Sequence, residues 1–209
     1  MPHLLELYCG TKSVGRVFEQ NGWTVTSVDI LPCWNPDICC DILDLTPEMV
    51  LAAGPRPDLI HGSPPCTHYS GARTHAKTPR DLVGSDRMVQ KVLDLAAFFN
   101  VDFFMENPYR GLLKWRDVVR GIPVYHVDYC QYGDDSWPGY MKPTCIWHTG
   151  RWRPQRALCT PKTCRWWGGG KRGQGGRHVC QAQCCKTTTL YALPAALPQE
   201  WCDAYAGVF

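Results

Sequence analysis

Cys66 sits in the stretch Gly62-Ser63-Pro64-Pro65-Cys66-Thr67-His68-Tyr69-Ser70. Two successive prolines stiffen the chain and remove two N–H donors. A merely packed thiol does not need that setting, whereas a nucleophile held at a fixed angle does, and the thiolate is the reactive form. About forty residues further on, the apolar run Phe103-Phe104-Met105 ends in Glu106-Asn107-Pro108. That places a carboxyl group, a candidate general acid, at a strand end. Two more acids fall at similar positions. Asp29 closes Thr24-Val25-Thr26-Ser27-Val28 and is placed to accept hydrogen bonds from ribose hydroxyls. Asp41, in Cys40-Asp41-Ile42, lies in the next crossover, where an adenine amino group can be bound. The four residues describe a nucleophile and an acid beside a generic nucleotide pocket.

The elements that must position them follow from the hydrophobic pattern. Residues 3–9 read as a buried strand, a turn begins at Gly10, and residues 14–21 read as a helix ended by Gly22. Residues 23–29 then read as a second strand. Strand, turn, helix and a strand ending in an acid form the opening of a doubly wound α/β fold, in which ligands bind at the carboxyl ends of the strands. A helix is expected near 47–53, a strand ending at His61, and a helix over about 85–98 with its apolar residues at helical spacing. Strands follow at 102–105, near 124–129 and at 144–148, and a short helix within 190–209 rejoins the core. In the first turn, Lys12 and Ser13 stand where a dinucleotide-binding loop uses glycine.

A chain of 209 residues is long enough for one such domain with a full core. No basic segment followed by a long apolar run opens it, and no stretch approaches a membrane span, so no membrane association is expected. Thirteen cysteines, an odd number, without an export signal point to a reducing, intracellular compartment. The net charge of +3 is unevenly spread. Residues 150–186 hold nine Lys and Arg and no Asp or Glu, which leaves the remainder at −6. A basic block on an acidic protein is the electrostatic footprint expected for a nucleic-acid partner; a solvated loop would carry the same charges.

Several motifs together resemble the cytosine-5 DNA methyltransferases. ELYCGTKSVGRVFEQNGW is similar to the family's first motif, SVDI to its ribose-binding strand end, and CDI to its adenine-binding turn. GSPPCTHYS resembles the Pro-Cys motif, and FMENPYRG the Glu-Asn motif, with Pro108 where valine is commoner. YCQYGDD and MKPTCIW are similar to the motif that follows, although its usual arginines are missing and Lys142 is the nearest basic residue. The resemblance covers roughly residues 3–149. It implies a Rossmann-like, S-adenosylmethionine-dependent methyltransferase fold, with Tyr8, Gly10, Ser13, Val14, Asp29, Ile30, Asp41, Ile42 and Pro64 around the cofactor. It also implies roles for Cys66 as nucleophile toward carbon 6 of a flipped cytosine and Glu106 as the acid at ring nitrogen 3. Asn107 would fix the loop, with Lys142 as a further catalytic residue. DNA is the implied partner, and the chain is expected to be a monomer.

The expected organisation is a catalytic domain at 1–149, a Cys-rich basic insert at 150–189, and a C-terminal segment at 190–209 that packs back on the catalytic domain. The insert stands where the family carries a long target-recognition domain. It makes the chain look like a small, phage- or virus-like member with short or relaxed sequence specificity. Cys159, Cys164, Cys180 and Cys184, with His178 or Cys185 as substitutes, offer enough ligands for one tetrahedral zinc. Zinc would give shape to a glycine-rich segment with few aliphatic residues. Free thiols in a loop are the other reading. Two other functions remain open: the same chemistry on RNA or a free cytidine nucleotide, and a non-catalytic nucleic-acid-binding module of the same fold.

Overall fold

A computed structural model describes residues 1–71, 73, 76–133, 142–160, 162–163 and 193–209. Its centre is a seven-stranded sheet. In chain order the strands are β1 (His3–Leu7), β2 (Thr24–Asp29), β3 (Ile38–Cys39), β4 (Leu59–Gly62), β5 (Asp102–Pro108), β6 (Val124–Asp128) and β7 (Pro143–His148). They lie side by side in the order β3-β2-β1-β4-β5-β7-β6. The strands from β1 to β5 pair in parallel, while β7 runs antiparallel to both β5 and β6. The strand order reverses direction between β1 and β4, and that switch point opens a crevice at the carboxyl ends.

The helices are α1 (Gly15–Gln20), α2 (Pro47–Ala53), α3 (Leu82–Phe99) and α4 (Ala196–Tyr205). Their ends are chemically specified. Thr46 accepts a hydrogen bond from the Met49 amide and Pro47 follows at the first helical position, so α2 starts there. Asp81 accepts from the Gly84 amide at 2.7 Å and starts α3 three residues earlier than the apolar stripe suggests. The α1 helix stops where Gly22 adopts φ 81°, with the Gly22 and Trp23 amides bonding back to Glu19 and Phe18.

Side chains alternate across the sheet and divide the core in two. Leu5, Leu7, Ile60, Phe103 and Met105 pack with Val50 of α2 and Val89, Val92 and Phe99 of α3. Leu4, Leu59, Phe104 and Ile146 pack with Phe18 of α1 and with Leu197, Trp201 and Tyr205 of α4. With both faces covered, all five residues of β1 are buried, His3 and Glu6 included. Trp201 stacks on Phe104 with ring centroids 4.4 Å apart, and the Tyr205 hydroxyl donates to Asp102 at 2.7 Å. Burying a side chain the size of Leu197 stabilises this docking by about 1.5–3 kcal/mol. Among the described residues no helix is long and apolar enough to cross a membrane.

Candidate active site

The turn after β4 carries the Pro-Pro-Cys sequence to the carboxyl end of the sheet. The Pro64 carbonyl accepts a hydrogen bond from Asn107 Nδ2 at 2.9 Å, which ties this turn to the end of β5. Cys66 then opens a tight turn of its own, its carbonyl accepting from the Tyr69 and Ser70 amides. Its half-exposed thiol enters a cleft of about 440 Å³ that Glu106, Asn107 and Lys142 also line. Glu106 is buried. One of its oxygens lies 3.4 Å from Lys142 Nζ, and the other has no partner among the described residues. Lys142 also stands over the Tyr129 ring, 4.7 Å from its centroid. Burial pushes the Cys66 thiol pKa up, the Glu106 charge pushes it further, and Lys142 pulls it down.

The other half of the cleft is built on the turn after β1, where Tyr8, Gly10, Ser13 and Val14 line it. This turn is unusual: Tyr8, Gly10 and Lys12 all have φ between 44° and 57°. Lys12 therefore occupies, as a non-glycine residue, a left-handed position that glycine would take without strain. The Tyr8 hydroxyl donates to the Met88 carbonyl, and the Ser13 hydroxyl accepts from the Leu193 amide at 3.2 Å. Pro64 completes the lining on the Cys66 side.

Asp29, at the end of β2, accepts from the Gly10 amide with one oxygen and from the Leu31 amide with the other, both at 2.9 Å. It braces the turn and the cleft wall and still has lone pairs for a ligand. On the expectation that Asp29 meets the ribose of S-adenosylmethionine, Asp29→Ala should weaken that binding by about 1.5–3 kcal/mol, the magnitude of hydrogen bonds to a charged group. Calorimetry on the purified variant checks this; unchanged affinity rejects the assignment. Ile30, Asp41 and Ile42 do not line the cleft. Ile30 is exposed, Ile42 is buried in the core packed on α2 and α3, and Asp41 accepts from the Leu43 amide. Asp41 lies near Tyr8, since its charge adds to the upward shift that burial imposes on the phenol.

The first motif, ELYCG, opens on the acid Glu6, which the expected cofactor set left out; sequence reasoning also missed His61, its neighbour across β1 and β4, and Leu31, Trp34 and Leu193 in the cleft wall. Both ring nitrogens of His61 are buried without partners among the described residues, and burial lowers its pKa to about 3, so it is neutral. An acid and a histidine at matching positions of adjoining strands were the available signal. Of the expected zinc ligands only Cys159 is described. It is half-buried, with its amide donating to Asp128 at 2.8 Å. Cys164, Cys180, Cys184, His178 and Cys185 lie outside the described residues. Among the described residues no three His, Cys, Asp or Glu side chains gather as a metal group.

No protein-family model matches the chain, and no curated protein does. Solved structures do. A prophage-encoded protein of Escherichia coli, described as a DNA modification methyltransferase, superposes with a TM-score of 0.52 at 16% identity, over 71% of this chain and 46% of that one. The fold is that of the Rossmann-like, S-adenosylmethionine-dependent methyltransferases. Dnmt2 of Schizosaccharomyces pombe (TM-score 0.47, 18% identity, 73% of this chain and 53% of that) and the methyltransferase EhMeth of Entamoeba histolytica (0.46, 10%, 76% and 56%) are also similar. The chain spans about half the length of these structures.

The lining residues fit the S-adenosylmethionine that the sequence motifs imply. Leu31 and Trp34 give apolar walls for an adenine, Asp29 a carboxylate for ribose hydroxyls, and Glu6 a countercharge for a cationic ligand. Glu6 is 1% exposed, and its Oε2 has no partner among the described residues. A Cβ at Gly15 would stand 2.5 Å from that oxygen, so a larger residue there would push the Glu6 carboxylate aside. Burial raises the Glu6 pKa from 4.5 to about 7, against the pull of the Gly15 and Val14 amides and the Lys12 charge.

Because the folded pKa lies above the unfolded one, the folded protein holds this proton more tightly. The stability this confers is full below pH 4.5 and is lost as pH rises through 7. Glu6→Gln removes the titration. Ligand-free melts should show the variant gaining on the natural protein as pH rises, by roughly 3 kcal/mol between pH 4 and pH 8. A difference that does not change with pH rejects the shift.

Proposed function

We propose that the chain is a DNA (cytosine-5) methyltransferase acting on a flipped cytosine, with short or relaxed sequence specificity. What carries the reading is the grouping of Cys66, Glu106 and Lys142 in one cleft with the nucleotide-sized half built on β1 and β2. The buried oxygen of Glu106 that has no partner among the described residues adds to it, because a buried carboxylate oxygen requires a hydrogen-bonding partner and the edge of a cytosine supplies one.

Carbon 5 of cytosine is too weak a nucleophile to take a methyl group directly. In the proposed reaction Cys66 Sγ bonds to carbon 6, and the ring double-bond pair moves to make carbon 5 an enamine carbon. Glu106, on ring nitrogen 3, shares its proton and relieves the negative charge the ring gains. Lys142, 3.4 Å from Glu106, holds that carboxylate and favours the Cys66 thiolate. Bound S-adenosylmethionine would supply an electrophilic methyl group, which carbon 5 would take as the S–methyl bond breaks and the sulfonium leaves as a neutral thioether. The carbon 5 proton then passes to water, the double bond re-forms, and the Sγ–carbon 6 bond breaks to return the thiolate. The target atom is closed off in a stacked duplex, so the base must leave the stack. Through Pro64, Asn107 fixes the Cys66 turn against the Glu106 strand.

Transfer of labelled methyl from S-adenosylmethionine to duplex DNA, single-stranded DNA, RNA and cytidine nucleotides tests the reading. Label on DNA cytosine is the expected result. Label on RNA or nucleotides alone replaces the substrate, and no label on any of them rejects the enzyme.

A further inference from the structure

The segment that follows the Glu106 strand carries an exposed aromatic and basic surface. Trp115 is 76% exposed. Lys114 Nζ lies 3.7 Å from the Tyr109 ring centroid and 5.3 Å from that of Trp115, and Tyr109 stacks on His126 at 4.1 Å. This row of rings and one ammonium begins one residue beyond Pro108, which lines the catalytic cleft, and the Tyr109 amide donates to the Pro143 carbonyl beside Lys142.

The ledge is joined to the turn that carries Cys66. The Leu112 amide donates to the Tyr69 carbonyl at 3.0 Å. Asp86 of α3 accepts from the Tyr69 hydroxyl at 2.8 Å and pairs with Arg116 at 2.6 Å. The charge there is one-sided. Residues 67–81 and 109–120 hold seven Lys and Arg against two Asp. Both acids are engaged, Asp81 by the Gly84 amide and Asp117 by Arg120. Arg73 and Arg80 bond to carbonyl and hydroxyl oxygens, and Arg110 and Lys114 pair with no carboxylate among the described residues.

We propose that residues 109–115 form a docking ledge for single-stranded nucleic acid, with an unstacked base on the Trp115 indole and phosphates on Lys114 and Arg110. The proposal rests on the reading that the substrate is nucleic acid. An exposed indole offers a face to any base, but only to one that has left its own stack, so the strand is single or locally opened there. The cations supply the sequence-independent attraction to the backbone. A ledge beginning at the rim of the cleft would hold a nucleotide next to the target while the target base is inside.

Anisotropy of a short fluorescein-labelled single-stranded deoxyoligonucleotide tests this on the full chain. Trp115→Ala should weaken binding roughly tenfold or more. Lys114→Ala should weaken it and flatten its salt dependence by about 0.7 in log–log slope. Trp115→Phe should recover most of the affinity, and all three variants should bind S-adenosylmethionine as the natural chain does. Unchanged oligonucleotide affinity in Trp115→Ala overturns the ledge. So does a natural chain that binds no single strand, or one that prefers the matching duplex. A change in self-association alone, seen by sedimentation, overturns it in favour of a protein-binding face. The two readings fail separately. Methyl transfer with Trp115→Ala binding unchanged removes the ledge only; no methyl transfer with binding lost in Trp115→Ala removes the catalytic reading only.

Discussion

Cys66→Ala is expected to abolish methyl transfer, by at least about a thousandfold, or roughly 4 kcal/mol in the barrier. No other group in the cleft replaces the carbon 6 bond. Cys9, its nearest rival in type, is buried, and burial with nearby acids pushes its thiol up to about 12. The fold should survive the change. The Cys66 turn is held by its backbone carbonyl, by the prolines and by Asn107, none of which uses the sulfur. Cofactor affinity should be unchanged, since the thiol lies in the other half of the cleft. Single-turnover assays with calorimetry on the same preparation separate loss of chemistry from loss of binding. A variant that turns over at the natural rate removes Cys66 from the mechanism.

Glu106→Gln is expected to slow methyl transfer by about 10²–10⁴-fold, the range for removing a general acid. The replacement is isosteric, so KM for the nucleic acid should move little while kcat falls. A second effect has the opposite sign. The Glu106 charge is one of the causes that raise the Cys66 thiol pKa, so removing it should lower that pKa. Iodoacetamide should therefore label Cys66 faster in the variant at neutral pH, followed by mass spectrometry of its peptide. Faster alkylation with slower methyl transfer is the pattern expected of an acid that also faces the nucleophile. Slower alkylation and slower transfer together would point to a disturbed cleft instead.

Much of this arrangement was legible because local chemistry and the global fold agree. Thr46-Pro47 and the stop at Gly22 mark helix ends by cap chemistry that operates within a few residues. The strands that carry Asp29, His61 and Glu106 at or near their carboxyl ends could be placed from apolar runs closed by polar residues, and so the cleft there could be placed as well. What escaped depends on contacts between distant residues. β3 is two residues long, with too little pattern to be seen, and exists because Val28 and Asp29 offer it an edge. The insertion of β7 between β5 and β6 follows from pairing, to which strand composition is blind. Ile42 reads as a cofactor contact in its motif but fills the core against α2 and α3. Glu6 and His61 acquire their character from burial on adjoining strands, which no local window reveals. Lys12 is the instructive departure. The turn keeps its left-handed geometry at that position without the glycine that would ease it.

Trapping of the covalent adduct tests the central claim most directly. DNA carrying 5-fluorocytosine, incubated with the protein and S-adenosylmethionine, cannot lose fluorine from carbon 5 as it would lose a proton. The Sγ–carbon 6 bond should therefore persist. The account predicts a denaturant-resistant protein–DNA complex that forms only with cofactor present. Peptide mass spectrometry should map the modification to Cys66, and the complex should be absent from Cys66→Ala. An adduct on another cysteine, or full methylation of ordinary cytosine with no trapped complex on the fluorinated base, contradicts it.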